Sequence, residues 1–147
     1  MEKKSSTFDY HHRVAFHDTD TMGVVHHSNY IRFFEEARVA WLRERGLIEL
    51  HQPMGPWAFA VIDLDCRYIK PARFEDELVT RVEGIVKGLR LKFRYAIWSK
   101  RLESWICTGH TTLVPLNKDL RPTRLPEDIV RQFGGESWSE TWPPEKF

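Results

Sequence analysis

Two acids, a glycine and two adjacent histidines are crowded into residues 17–27, which read HDTDTMGVVHH. A helical pattern follows directly, and the first turn of a helix offers unpaired N–H groups and the positive end of its dipole. A carboxylate in this stretch could attack a carbonyl or activate water, while the N–H groups bind the oxyanion that develops. Gly23 would allow a backbone conformation that other residues resist, or a close approach of a ligand. The pattern permits acyl transfer without requiring it.

A divalent metal site is the alternative enzymatic interpretation of the same residues. Asp18 and Asp20 form an Asp-x-Asp pattern, and His17, His26 and His27 are near enough in sequence to add ligands. Adjacent histidines, however, do not share one face of a helix as the two-histidine metal motif requires. We therefore expect no metal. A turn-forming or helix-capping carboxylate is the structural alternative for Asp20.

One long amphipathic helix is predicted for residues 28–45. Ser28, or a residue just before it, can cap its start, and Gly46 suits the left-handed conformation that ends helices. The apolar residues recur at three- and four-residue spacing; they are Tyr30, Phe33, Phe34, Ala37, Ala40 and Trp41. Such a helix requires a large apolar surface to cover it.

The rest of the chain is typical of strands joined by short turns, and an antiparallel sheet follows from short connections. In the segment 62–68 the even-numbered residues are apolar, which predicts a half-buried strand. The other strands are predicted at 10–17, 78–87, 89–98 and 105–115, and a short terminal helix at 126–134. The expected fold is α+β, with an antiparallel sheet of about five strands wrapped around one long central helix.

Domain organisation follows from these elements. We expect an N-terminal extension at 1–9, one domain at 10–133 and a C-terminal tail at 134–147. The tail contains Trp138 and Trp142 and has no period, so we expect it either to be disordered or to dock its tryptophans on a surface.

Composition limits the possible partners and location. The chain has 22 Lys and Arg against 21 Asp and Glu, a net charge of +1, which does not favour nucleic acid or an anionic membrane surface. No stretch approaches the roughly 18 apolar residues of a membrane span. Cys66 and Cys107 lack metal-ligand spacing and fall in predicted strands, so we expect reduced, structural thiols. The prediction is a cytoplasmic protein.

Residues 16–30, followed by 33–38, resemble the signature of the 4-hydroxybenzoyl-CoA thioesterase family. The similarity is greatest to its acyl-CoA thioesterase branch associated with the bacterial Tol-Pal genes. Weaker matches at 68–73, Gly88 and 121–122 extend the resemblance over about residues 10–133. It implies a hotdog fold and hydrolysis of an acyl-CoA thioester to free acid and CoA, with no cofactor.

The resemblance also implies roles for individual residues. Asp20 matches the catalytic aspartate, as nucleophile or general base, and the backbone N–H of His27 matches the oxyanion donor. Asp18 would order the loop by accepting its N–H groups. His26 departs from the family pattern, which has an aromatic residue such as Tyr there. The residues expected to line or support the substrate site are Gly23, Val24, Val25, Asn29 and Tyr30.

The phosphates of CoA call for arginine and lysine side chains. The candidates are Lys70, Arg90, Lys92, Arg121 and Arg124. Arg90 and Lys92 are in phase with a solvent face of their predicted strand, so an ordinary surface position is the alternative for both.

Hotdog sites of this family lie between two subunits, so the expected partners are an acyl-CoA substrate and a second copy of the chain, in a homodimer or homotetramer. Acyl carrier protein is a further partner that the resemblance allows. Because fold alone does not determine the reaction, a non-catalytic acyl-CoA-binding protein and a hotdog dehydratase stay as alternatives to the thioesterase.

Overall fold

The structure is a computed structural model that describes residues 3–4, 7–48, 58–138 and 141–147. Parts of the predicted extension and tail, at 1–2, 5–6 and 139–140, lie outside the described residues. In chain order the elements are β1 (Lys3–Lys4), β2 (Thr7–Arg13), a 3-10 turn (Phe16–Asp18), α1 (Asn29–Glu44), β3 (Ala58–Tyr68), β4 (Glu77–Lys87), β5 (Arg90–Ser99), β6 (Ser104–Leu116), α2 (Glu127–Phe133) and β7 (Glu136–Ser137).

Five of the strands form one antiparallel sheet in the order β2-β4-β5-β6-β3. The two-residue strands β1 and β7 pair in parallel apart from it. Hairpins join β4 to β5 and β5 to β6, as expected from the short turns in the sequence. This architecture of five antiparallel strands, one long helix and a short C-terminal helix confirms the predicted fold class.

The aromatic face of α1 packs against the sheet. Phe34 stacks on Tyr95 of β5 with ring centroids 4.6 Å apart, and Trp41 meets Phe133 of α2 edge to face at 5.3 Å. All four of these side chains are buried. Gly46 follows the helix with a φ of 76°, the left-handed conformation predicted for that position. The helix is thereby fixed on the sheet by large rings along most of its length.

The first strand of the sheet differs from its prediction at both ends. It begins at Thr7, before the expected residue 10, and ends at Arg13, before the expected residue 17. The Val14 N–H leaves the strand ladder and donates to the carbonyl oxygen of Asp76 at 2.9 Å. The chain then turns through the 3-10 segment that ends at Asp18. The acidic stretch of interest therefore starts in a turn, not in a strand.

The predicted half-burial of the strand at 62–68 is wrong for a single chain. Ile62, Leu64 and Tyr68 are 44–48% exposed. The reason is the position of β3 at an edge of the sheet, with β6 on one side and no strand of the described chain on the other. In addition, the pairing with β6 shifts between Val61 and Asp63, which leaves Ile62 in a bulge. The apolar side chains are present at the expected spacing, but the described part of this chain does not bury them.

The described part of the C-terminal tail docks on the outer face of the sheet, which confirms one of the two predicted alternatives. The indoles of Trp138 and Trp142 both lie over the guanidinium of Arg94, at 4.5 and 4.6 Å. Trp142 also donates from Nε1 to the carbonyl oxygen of Tyr95 at 3.2 Å. Phe147 stacks on Trp98 at 5.6 Å. The outer face of β5 is therefore covered by the chain's own tail.

Candidate active site

The loop that carries Asp20 is a small hairpin between the 3-10 turn and α1. Thr19 and Val25 form an antiparallel bridge at its base. Within it the Asp20 N–H donates to Val24 O at 2.8 Å, and the Gly23 N–H donates to Asp20 O at 3.0 Å. Gly23 has a φ of 79°, so this position uses the backbone freedom expected of glycine. Asp20 and Gly23 thus lie together at the turn of the hairpin.

The Asp20 carboxylate is partly buried and takes part in the turn. Its Oδ1 accepts the Met22 N–H at 2.8 Å, the geometry of an Asx turn. Among the described residues none donates to its Oδ2. The turn-forming role considered for Asp20 is therefore present, and one carboxylate oxygen is still available for chemistry.

Asp18 is a buried structural acid. Its Oδ2 accepts the Ala15 N–H at 2.8 Å, and its Oδ1 is in close contact with the Arg32 guanidinium. Its backbone oxygen accepts from the Asn29 side-chain amide at 2.8 Å and from the His26 N–H at 2.9 Å. The Asp18 carboxylate accepts one N–H group, that of Ala15 before the loop, and the backbone oxygen of Asp18 holds the loop's His26 N–H, so the predicted ordering role is confirmed only in part. Asn29 contributes to the same network, because its side chain holds the Asp18 backbone.

The N–H of His27 stands out among the backbone donors that lead into α1. The N–H groups of Val25, His26, Ser28 and Asn29 all have acceptors, at 2.9–3.2 Å. The His27 N–H has none within the part of the chain that the structure describes. Ser28 is the N-cap residue of α1, although its hydroxyl bonds to His26 Nδ1 and not to a helix N–H. The open donor thus lies two residues before Asn29, the first residue of α1, near the positive end of the helix dipole.

His27 lines a cavity of about 230 Å³ between the start of α1 and the end of β3. Four residues of the predicted site meet there; the lining consists of Val25, His27, Tyr30, Tyr68, Ile69, Lys70 and Pro71. Asp20 lies in the same loop but not in the wall of this cavity. His26 is exposed, bonds to Ser28 and is not part of the wall either. The single chain therefore places the acid and the open N–H on one loop without enclosing them together.

Two tyrosines tie the start of α1 to the segment after β3. The buried Tyr30 hydroxyl accepts the Ala72 N–H at 3.1 Å, and the Tyr68 hydroxyl donates to the His27 carbonyl oxygen at 2.7 Å. Their ring centroids are 5.3 Å apart, edge to face. Burial raises the pKa of both phenols above the ordinary value, so both stay protonated. Sequence reasoning did not identify Tyr68 as a site residue, and the weak motif at 68–73 was its only signal.

The predicted phosphate-binding residues separate into two groups. Lys70 lines the cavity, where its Nζ donates to Ser104 Oγ at 3.3 Å. Arg90 pairs with Lys87 at the far end of β4, whereas the Asp20 loop meets the segment just before the near end, where Val24 bridges Arg73. The 11 residues of β4 span roughly 33 Å. Arg90, and Lys92 two residues on, are therefore not brought to the Asp20 loop of their own chain.

Several donors of the alternative metal site already have other partners. In the residues that the structure covers, no three His, Cys, Asp or Glu side chains are grouped as ligands. Asp18 binds Arg32, and one of the two carboxylate oxygens of Asp20 accepts the Met22 N–H. His26 Nδ1 accepts from Ser28. Asp18 and His26 would have to break these contacts before they could bind a metal ion.

Comparison with known proteins identifies the family. Residues 14–133 match the model of the thioesterase-like superfamily. The acyl-CoA thioesterase YbgC of Haemophilus influenzae is 32% identical over 132 residues, covering 86% of this chain and 93% of that protein. A protein of Aquifex aeolicus is 44% identical over 71 residues, so the match spans 47% of this chain and about half, 54%, of that relative.

Solved structures agree with the sequence relatives. The crystal structure of a probable thioesterase from Bartonella henselae superposes with a TM-score of 0.73 at 27% identity, covering 82% of this chain and all of that one. No helix in the described ranges is long and apolar enough to cross a membrane. Because the family model spans most of the chain, and a relative 32% identical is covered over nearly its whole length, the chain belongs to the thioesterase-like superfamily and is a thioester hydrolase.

Proposed function

We propose that this thioesterase hydrolyses an acyl-CoA thioester to the free acid and CoA, without a cofactor. Asp20 supplies the catalytic carboxylate, and the backbone N–H of His27 binds the thioester carbonyl oxygen. The relative from Haemophilus influenzae, which is described as an acyl-CoA thioesterase, supports this substrate class.

One observation carries the proposal. Of the N–H groups from Val25 to Asn29, only that of His27 lacks an acceptor among the described residues, and His27 is one of the residues that line the cavity beside the start of α1. An N–H in that position is already oriented, and the helix dipole favours negative charge beside it. A donor fixed in place before the reaction stabilises an oxyanion without the cost of reorganisation. The main chain of His27, not its imidazole, has this role.

The carboxylate allows two routes. As a nucleophile, Asp20 adds to the thioester carbonyl, the C–S bond breaks, and water then hydrolyses the mixed anhydride. As a general base, Asp20 takes a proton from a water molecule that adds directly to the carbonyl. In both routes CoA leaves as a thiolate that takes up a proton, and the carbonyl oxygen becomes negatively charged in the intermediate. We expect the His27 N–H to stabilise that charge.

The open edge of β3 supports a site that two chains share. Long, unpaired edges expose backbone hydrogen-bonding groups and are usually covered. Five apolar residues along this edge are 44–49% exposed; they are Val61, Ile62, Leu64, Tyr68 and Ile69. Tyr68 and Ile69 also line the cavity. A second copy on this edge would therefore close the cavity, and as a homodimer or homotetramer it could bring Arg90 and Lys92 of another subunit to the CoA.

The substrate class is tested by measuring thiol release from a panel of acyl-CoA and acyl carrier protein thioesters. We expect release of CoA from at least one acyl-CoA, with the rate unchanged by EDTA. Loss of activity with EDTA would instead indicate metal-dependent hydrolysis. Absence of thiol release from every thioester would indicate the binding or dehydratase alternative. Release from acyl carrier protein substrates alone would shift the substrate class to that carrier.

The shared site is tested by light scattering on the purified protein. We expect at least a dimer at micromolar concentration. Replacing Leu64 with Lys, which places a charge on the β3 edge, should shift the protein towards monomer and lower turnover with it. A monomeric and fully active wild-type protein would contradict the shared site.

A further inference from the structure

The hydroxyl of Tyr68 makes a direct link between the edge strand and the start of α1. It donates to the carbonyl oxygen of His27 at 2.7 Å, across 41 residues of sequence. Tyr68 is the last residue of β3, and Val61, Ile62 and Leu64 of the same strand are 44–48% exposed.

The ring of Tyr68 is held so that its hydroxyl points at His27. It packs edge to face on Tyr30, a buried residue of α1 whose own hydroxyl accepts the Ala72 N–H. The phenol is protonated, because burial raises its pKa. Tyr68 consequently serves as a hydrogen-bond donor throughout the pH range in which a carboxylate can work.

Two consecutive peptide groups lead into the helix, one between His26 and His27 and one between His27 and Ser28. The Tyr68 hydroxyl binds the second of them. The first group contains the His27 N–H, and its carbonyl oxygen, that of His26, accepts the Asn29 N–H at 2.9 Å. The second contains the His27 carbonyl oxygen, bound by Tyr68, and the Ser28 N–H, which donates to His26 Nδ1 at 3.2 Å. Of these contacts, the Tyr68 bond alone comes from outside the loop and helix. It fixes the loop relative to the cavity wall.

We propose that Tyr68 is a positioning residue, which sets the direction of the open His27 N–H by holding the adjacent carbonyl oxygen. This inference rests on the proposed role of that N–H as oxyanion donor. An oxyanion donor is effective only when its hydrogen points at the position the charged oxygen will occupy. Tyr68 touches the backbone of His27 and acts on the reaction through it.

The test is Tyr68→Phe, which keeps the ring on Tyr30 and removes only the hydroxyl. We expect kcat to fall about tenfold, the loss that one hydrogen bond of ordinary strength accounts for. KM should stay within about twofold, because the N–H stabilises the intermediate more than the bound substrate. Hydrogen exchange of the peptide that contains His27 should become faster, while peptides from β4 and β5 stay unchanged.

Tyr95→Phe is the matched control, since its hydroxyl is also hydrogen-bonded but lies in the core. It contacts Thr111 Oγ1 at 2.6 Å and Arg38 Nη1 at 3.1 Å. We expect this variant to lower Tm without lowering kcat, and Tyr68→Phe to do the reverse. If Tyr68→Phe lowered Tm and left kcat at the wild-type value, Tyr68 would have a structural role only and the inference would be overturned.

Failure of this inference can be told apart from failure of the proposed function. If Asp20→Asn abolishes turnover while Tyr68→Phe keeps wild-type kcat and wild-type exchange at His27, the positioning role alone is wrong. If the wild-type protein releases no thiol from any thioester, the proposed function is wrong. The exchange measurement still reports in that case whether Tyr68 holds His27, since it requires no turnover.

Discussion

The ring of Phe34 lies directly against the backbone of Gly109 in β6. A Cβ at position 109 would collide with the ring and would come within 2.6 Å of the carbonyl oxygen of Asp65. Phe34 cannot easily move aside, since it is buried and stacked on Tyr95 at 4.6 Å. The absence of a side chain at Gly109 therefore sets how closely α1 approaches the sheet, and with it the position of the loop that leads into the helix.

Replacing Gly109 with Ala should destabilise the protein by about 1–3 kcal/mol, the usual cost of overpacking a well-packed core. Urea unfolding, followed by tryptophan fluorescence, would measure the change. Thr108→Ala, at the neighbouring residue that points to the opposite face of β6, is the control and should change stability by less. A Gly109→Ala protein as stable as the wild type would show that α1 can shift at this contact without loss.

The buried ring of His12 should make the free energy of unfolding decrease at acid pH. Its Nε2 lies 3.1 Å from Thr80 Oγ1, and its ring lies 4.6 Å from that of Phe33. Burial lowers the pKa of His12 to about 4; the neighbouring charge of Asp18 opposes this shift, and those of Arg32 and His11 add to it.

Between pH 6.5 and pH 4 the unfolded chain therefore binds a proton at His12 that the folded chain does not. Stability should fall as the pH falls through this window, by up to about 3 kcal/mol below pH 4. His12→Gln keeps a hydrogen-bonding group near Thr80 but cannot titrate. Its unfolding free energy should therefore lack the part of the pH dependence that His12 contributes between pH 6.5 and pH 4. Parallel pH curves for the wild type and His12→Gln would contradict the account.

Cys66 should react with alkylating agents at neutral pH. Cys66 and Cys107 lie in β3 and β6, as predicted, with their Sγ atoms 3.5 Å apart. The hydrogen bond from Cys107 lowers the pKa of the Cys66 thiol to about 7, while burial and the same contact raise that of Cys107. Since the thiolate is the nucleophile, the rate of alkylation should rise with pH to a midpoint near 7.

Peptide mass spectrometry after iodoacetamide treatment would assign the label to Cys66, with the buried Cys107 unlabelled. In Cys107→Ala the donor is lost, so the midpoint for Cys66 should move up towards the ordinary value of about 8.5. An unchanged midpoint in this variant would show that Cys107 is not the cause of the low pKa.

The parts of the fold that depend on local periodicity were predictable from the sequence. The spacing of Tyr30, Phe33, Phe34 and Trp41 predicts α1, and the structure buries all four. The hairpins follow from alternation and short turns. The alternation of apolar and charged residues at Ile62 and Leu64 was equally clear, but the prediction that this strand is half-buried was wrong. An alternating pattern predicts an apolar face, but it does not show whether the same chain or another chain buries that face.

The contacts that shape the candidate site could not be predicted from the sequence to the same extent. Asp18 was expected to order the loop, yet its partner Arg32 is 14 residues away in the sequence and also contacts Glu36. The bond between Tyr68 and His27 joins residues 41 positions apart. No local pattern encodes such pairs, since they depend on how the edge strand meets the helix.

Thiol release by Asp20→Asn, compared with the wild type on the best acyl-CoA substrate, tests the central claim most directly. Asparagine keeps an oxygen that can accept the Met22 N–H, so the turn should persist and only the charge is lost. Asp119→Asn, in an exposed turn that also contains Asn117, is the control. We predict that kcat falls by about 10²–10⁴, while a non-hydrolysable CoA thioether binds as before and the control keeps full activity. An Asp20→Asn protein with wild-type turnover would contradict the claim and leave Asp20 as a turn-forming acid.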